Sequence, residues 1–173
     1  MALRALLAFV LLAASPALGR EGSEQAALPA RWGIGMLLGD PFGLSLKRYV
    51  GGPNAWDAYV AFAYGPGIRF GADWLWIVGR GEQGRKFDVD AYVGLGPFIG
   101  TFQGQCGPWL AGGCNGGAYF GGRVPLGAEI LLREAPLSLG AEIAPGFGVA
   151  PAGTDPARAG LVLDFLFAVR YLF

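Results

Sequence analysis

From Arg31 to Phe173 apolar side chains recur at every second position, and no window holds the 3.6-residue period of a capped helix. Runs rich in Tyr, Phe, Trp, Val and Leu are separated by clusters of Gly, Pro, Asn and Asp, the pattern of strands and turns. The spacing predicts eight strands, over residues 31–39, 42–50, 55–64, 68–80, 86–100, 117–133, 136–150 and 159–173. In the last run the odd positions are Leu161, Leu163, Phe165, Phe167, Val169, Tyr171 and Phe173, while both charges, Asp164 and Arg170, are even. Run 136–150 sets Leu137, Leu139, Ile143, Phe147 and Val149 against Ser138, Gly140, Glu142, Gly146 and Gly148. Run 117–133 sets Phe120, Val124, Leu126, Ile130 and Leu132 against Tyr119, Gly121, Arg123, Gly127 and Glu129. The others follow suit: Val89, Val93, Leu95 and Ile99 oppose Lys86, Asp88, Asp90 and Tyr92, and Ile68, Phe70, Trp74, Trp76 and Val78 oppose Arg69, Gly71 and Asp73. Trp56, Val60 and Phe62 oppose Asp57 and Tyr59, and Leu44 and Leu46 oppose Lys47.

Each strand thus has one bulky apolar face and one face of Gly, Ala, Tyr and charge. A soluble sandwich or barrel also alternates, but it turns the bulky face inward. Side-chain volume argues against that arrangement here. Eight strands close around an interior that side chains just fill, so small residues and paired charges suit the inside, and ranks of Phe, Trp and Leu suit lipid. The expected fold is all-β, an eight-stranded antiparallel up-and-down transmembrane β-barrel, whose closure satisfies every backbone N–H and C=O in a bilayer. Trp32, Trp56, Trp74, Tyr64, Tyr171 and Phe173 lie near strand ends, where interface aromatics belong. With both termini periplasmic, the two longest connections, 101–116 and 151–158, fall on the outer side. Pro97, Pro125 and Pro145 sit inside predicted strands, each removing a ladder donor; local bulges, whose positions the sequence does not give, would accommodate them and could shift the faces beyond each by one residue.

Composition narrows the chemistry. Of 173 residues 31 are Gly and only 15% are charged, which excludes disorder and disfavours a helical domain. The chain has no His, which removes Ser-His-Asp and Cys-His arrangements and imidazole metal ligands. Lys and Arg number 13 against 13 Asp and Glu, so no basic excess is left for a nucleic-acid partner. No dinucleotide fingerprint, P-loop or metal-binding run occurs, and no catalytic, cofactor or metal residues are assigned.

Residues 1–19, MALRALLAFVLLAASPALG, carry one Arg, an apolar run from Ala5 to Ala14 and a small-residue close, the order of a cleaved secretory signal peptide. The apolar run is shorter than the roughly 20 residues a spanning helix needs. Residues 20–30 then form a polar periplasmic tail, and 31–173 the barrel. Export changes the reading of Cys106 and Cys114, which share a Gly-rich segment: a loop disulfide is the simplest arrangement, ahead of free thiols or a two-thiolate metal site.

The stretches GIGMLLGDPFGLSLKRY (33–49), AWDAYVAF (55–62), GADWLW (71–76), GGRVPLGAEILLREAPLSLGAEIAP (121–145) and VRYLF (169–173) resemble a family of small bacterial outer-membrane barrel proteins, with spirochaete members, that are similar to the OmpA membrane domain. The resemblance implies a location in the outer membrane, with membrane lipid as partner, and brings no agreed activity. Tyr171 and the final Phe173 look like the terminal signal read by the barrel assembly machinery. Cys106 and Cys114 are outside that pattern.

The inward faces supply the remaining chemistry: Lys47, Arg69, Lys86, Arg123 and Arg170 against Asp57, Asp73, Asp88, Asp90, Glu129, Glu142 and Asp164. These read as a network of ion pairs that lets charge reside in a narrow interior, because unpaired buried charge is expensive. The expected role is structural or surface-interacting, without catalysis. A narrow channel, a His-free lipid-modifying enzyme and a soluble lipocalin-like barrel are the alternatives.

Overall fold

β-branched and aromatic residues on a strict two-residue alternation form a single antiparallel sheet. The computed structural model describes residues 31–63, 67–83, 86–102, 117–150 and 158–173. Cys106, Cys114, Tyr64, the signal segment 1–19 and the tail 20–30 lie outside the described residues.

The strands are β1 (Arg31–Asp40), β2 (Phe42–Gly51), β3 (Asn54–Ala63), β4 (Gly67–Gln83), β5 (Phe87–Phe102), β6 (Gly117–Arg123), β7 (Leu126–Leu132), β8 (Leu137–Ala150) and β9 (Arg158–Leu172). Each pairs with its predecessor up to β5, and β9 pairs with both β8 and β1, so the sheet closes on itself as a ring. Backbone bonds of 2.8 Å in both directions between Trp32 and Phe173 seal the end of that closing seam.

Nine strands replace the expected eight because run 117–133 is divided at Val124–Pro125, where proline has no N–H for the ladder. The division is local. β6 and β7 both lie between β5 and β8, and their registers agree, Gly96 facing Arg123 and Val93 facing Leu126. Gly94 N–H donates to the Pro125 carbonyl and Val124 N–H to the Pro145 carbonyl, each at 2.8 Å, so both neighbours remain bonded across the gap.

No shift of face occurs at Pro97 or Pro145, so the faces assigned by alternation continue through them. Pro97 faces Gly122 and Pro145 faces Leu163 in unbroken register, with Phe98 inside and Phe147 outside, as simple alternation requires. The shift in this part of the sheet lies in β4 instead, between Ile77 and Gly79, which face Tyr92 and Ala91. Val78 is the extra residue and stands 64% exposed. Beyond this bulge the parity inverts, which turns Arg80 toward the interior.

The bulky faces point outward throughout: Ile34, Phe62, Phe70, Leu95, Phe120, Leu139, Phe147, Phe165 and Phe167 are all exposed. Inside, tyrosine and glycine face each other directly across the ladder: Tyr59 with Gly71, Tyr92 with Gly127 and Tyr119 with Gly100. Each ring lies where the glycine lacks a side chain. A Cβ on Gly127 would stand 2.5 Å from the Tyr92 ring and 2.7 Å from the Ala141 carbonyl oxygen. Gly127→Ala is therefore expected to destabilise by about 1–3 kcal/mol, the usual cost of overpacking. A denaturant midpoint equal to that of the parent would show that the tyrosine can move aside.

Buried leucines and aromatics cluster toward each end of the interior: Tyr49, Leu75, Tyr92, Leu131 and Leu172 pack together toward the end of Arg31 and Phe173, and Phe98, Tyr119 and Val162 toward the other.

Candidate functional site

Packed among these clusters is a charged interior, positioned by the same alternation that turns the bulky faces out. Lys47, Asp57, Arg69, Asp73, Asp90, Arg123, Glu129, Asp164 and Arg170 are all buried, with Ser45 and Ser138. Glu142 is half-buried, its side chain 9% exposed. Ten of the twelve charges read from the sequence thus point inward at depth. Lys86 does not: it is exposed in the turn before β5. Asp88 shares the face of Asp90 but lies near the strand end, half-buried, and pairs there with Arg133. The face was read correctly, but depth along the strand is invisible to alternation.

The hydrogen bonds form two groups. In the first, Glu129 accepts from Lys47 Nζ and Tyr49 OH at 2.5 Å and from Ser138 Oγ at 2.7 Å. Arg170 reaches the same carboxylate at 3.3 Å, donates to Ser45 Oγ at 2.7 Å, and binds Asp57 Oδ2. In the second, Arg69 holds Asp164 through two parallel bonds of 2.9 and 2.7 Å. Arg123 donates to both oxygens of Asp73, to Asp164 Oδ2 at 3.1 Å, and stands 3.4 Å from Glu142 Oε1. Tyr92 OH donates to Glu142 Oε2 at 2.9 Å. Arg80, turned in by the bulge, forms a further pair with Asp90 through bonds of 2.8 and 3.2 Å.

Such pairing is a condition of folding. An ion inside a protein loses several kcal/mol of hydration, which attraction repays only where geometry is good and the remaining polar atoms are bonded. The arginine forks meet that condition, because guanidinium matches carboxylate with two parallel donors. Aromatic faces add to it: Arg69 lies 4.2 Å from the Phe98 ring centre, Arg123 4.4 Å from Tyr59, and Lys47 4.5 Å from Tyr92.

The sequence reading did not single out Tyr49, Ser45 or Ser138 as members of this network, nor Arg80. The first three lie on inward parity, and that signal was available; Arg80 becomes inward only through the bulge at Val78.

On the outer surface Trp32, Arg48, Trp56 and Trp74 occupy one cross-strand row toward the end of Arg31 and Phe173. Trp32 meets Trp56 edge to face at 5.4 Å, and Arg48 lies over the Trp32 ring at 4.9 Å. Tyr171 and Phe173 stack at 6.4 Å near the same end. Among the described residues no group of three or more His, Cys, Asp or Glu converges as a metal site. Compared with protein-family models, with curated proteins and with solved structures, the chain shows no match.

Proposed function

We propose that this protein is an integral outer-membrane β-barrel with a structural or surface-interacting role and no catalytic step, β6 and β7 counting as one interrupted strand of eight. The observation that carries the reading is the inversion of the usual arrangement: charge inside, and a continuous outer band of Leu, Ile, Val, Phe and Trp. Soluble monomers rarely expose apolar patches beyond a few hundred Å², whereas a bilayer requires such a band and tolerates no open sheet edge. The row of Trp32, Trp56 and Trp74 with Arg48, and the Tyr171–Phe173 stack, are the chemistry of a lipid headgroup interface.

The interior supports a plug rather than a conduit. Arginine–carboxylate pairs and packed leucines and aromatics fill the described interior. The surface role then belongs to the outer connections, the longest of which, 103–116 and 151–157, lie outside the described residues.

Membrane fractionation followed by gel mobility with and without boiling tests the reading. The expected result is an outer-membrane protein that migrates differently when heated; recovery in the soluble periplasmic fraction overturns it in favour of a soluble barrel. Planar-bilayer recording of the purified protein should show no unitary conductance, and discrete openings would make it a channel. Deletion of Phe173 removes the terminal residue from the closing seam and from the proposed assembly signal. It is expected to leave the chain aggregated or periplasmic; unaltered membrane assembly would refute that signal.

A further inference from the structure

Among the hydrogen bonds of the described residues the two interior groups share no residue, and a small cavity lies where they meet. It is lined by Asp57 and Arg170 from the first group, by Arg123, Glu142 and Tyr92 from the second, by Tyr59 and Gly140, and on one side by the apolar Leu37, Leu166 and Ala168. Three of its polar atoms make no hydrogen bond: Asp57 Oδ1, Tyr59 OH and Glu142 Oε1. Asp57 is 6% and Tyr59 5% exposed, so bulk solvent does not satisfy them. Glu142 Oε1 has Arg123 at 3.4 Å, an ion-pair distance without hydrogen-bond geometry.

We infer that the cavity is a binding site for one water molecule, which bridges Asp57, Glu142 and Tyr59 and joins the two groups into a single network. Three facts converge on water. The space open to the centre of a water-sized sphere is about 10 Å³, close to the minimum that one water needs. The unbonded set is two carboxylate acceptors and one hydroxyl donor. A water supplies two O–H donors and accepts the Tyr59 proton, the complement of that set, in the range of two to four bonds usual for buried water. The third fact is charge. The guanidinium groups of Arg123 and Arg170 line the same cavity, which disfavours a metal cation there and leaves a neutral hydrogen-bonding molecule.

The site has a structural consequence. Asp57 on β3 and Glu142 on β8 belong to strands on different parts of the ring, so one water ties the two sides together through its donors. The inference concerns the ring interior alone and does not depend on where the ring resides.

Gly140 provides a test. A Cβ there would stand 3.6 Å from Ala168 Cβ and 3.6 Å from Arg170 Nη1, ordinary contacts that need no backbone movement. If the cavity is dry, Gly140→Ala fills space and lowers the entropy of the unfolded chain, so the unfolding constant should fall about two- to fivefold. If water occupies it, the methyl crowds a filled space beside Arg170 Nη1 instead of filling an empty one, so the stabilisation is lost and the constant should not fall. Urea titration of the full-length mature protein and of Gly140→Ala separates these; a stabilisation of about two- to fivefold overturns the inference, and a neutral or destabilising effect supports it. A crystal structure of the unsubstituted protein, finer than about 2 Å, is the independent check. The expected result is a single peak with contacts of about 2.5–3.0 Å to Asp57, Tyr59 and Glu142. An empty cavity, or a peak at the shorter distances of a coordinated metal ion, overturns it.

Discussion

Arg123→Met is expected to cost about 3–5 kcal/mol of folding free energy, the range for removing one partner of a buried ion pair. Arg123 is the centre of its network: it donates to Asp73 and Asp164 and faces Glu142, and its own side chain is 3% exposed. Methionine fills much of the same volume but leaves Asp73 without a cation, whereas Asp164 keeps both bonds from Arg69. Lysine is no substitute, because an ammonium cannot form the paired bonds that the planar fork makes. Glu142→Gln is the control. Arg123 retains two carboxylates after that change, so the loss should stay near the 1 kcal/mol of one ordinary hydrogen bond. Urea titration of both variants folded in lipid vesicles, followed by Trp fluorescence, measures the difference. Equal losses in the two would mean that Arg123 is not the organising charge of the interior.

Leu139→Arg is the second large effect and probes the opposite surface. Leu139 is 44% exposed on the outer face of β8, level with Ile130 on β7 and Val169 on β9. On the proposed membrane reading the new guanidinium meets hydrocarbon, at about 2–4 kcal/mol near the bilayer midplane and less toward the interface. In a soluble ring the same residue faces water, and a surface change of this kind stays within about 0.5 kcal/mol. The measurement is the unfolding free energy in vesicles. A silent Leu139→Arg in membrane-inserted protein would place this face away from lipid.

The alternation of residues 136–150 and 159–173 was enough to assign faces, because a strand has a period of two and each side chain has only two directions available. Glu142, Asp164 and Arg170 were legible as inward, and Leu139, Phe165 and Phe167 as outward, from parity alone. The same rule carried no information on height, which is why Lys86 was placed inside with Asp90 although it stands exposed beyond the strand end. Nor could it locate the bulge. Proline is a visible signal, yet Pro97 and Pro145 hold their register, and the extra residue in β4 is Val78, an unexceptional strand former.

What the sequence by itself determined is local and binary: strand, turn, and which side of each strand is apolar. The partnerships inside belong to the tertiary structure. Arg170 binds Asp57, 113 residues away, and Arg69 binds Asp164 at a separation of 95; no periodicity specifies such pairs, because several inward acids and bases were available to each. Ring closure decides among them. It brings β9 against β1, sets the stagger of neighbouring strands, and thereby fixes which charges share a level and which glycine lies beneath each tyrosine. The division of one predicted strand into β6 and β7 at Pro125 is likewise settled by neighbours, since bonds from Gly94 and to Pro145 hold the register across a gap that the missing N–H alone would leave open.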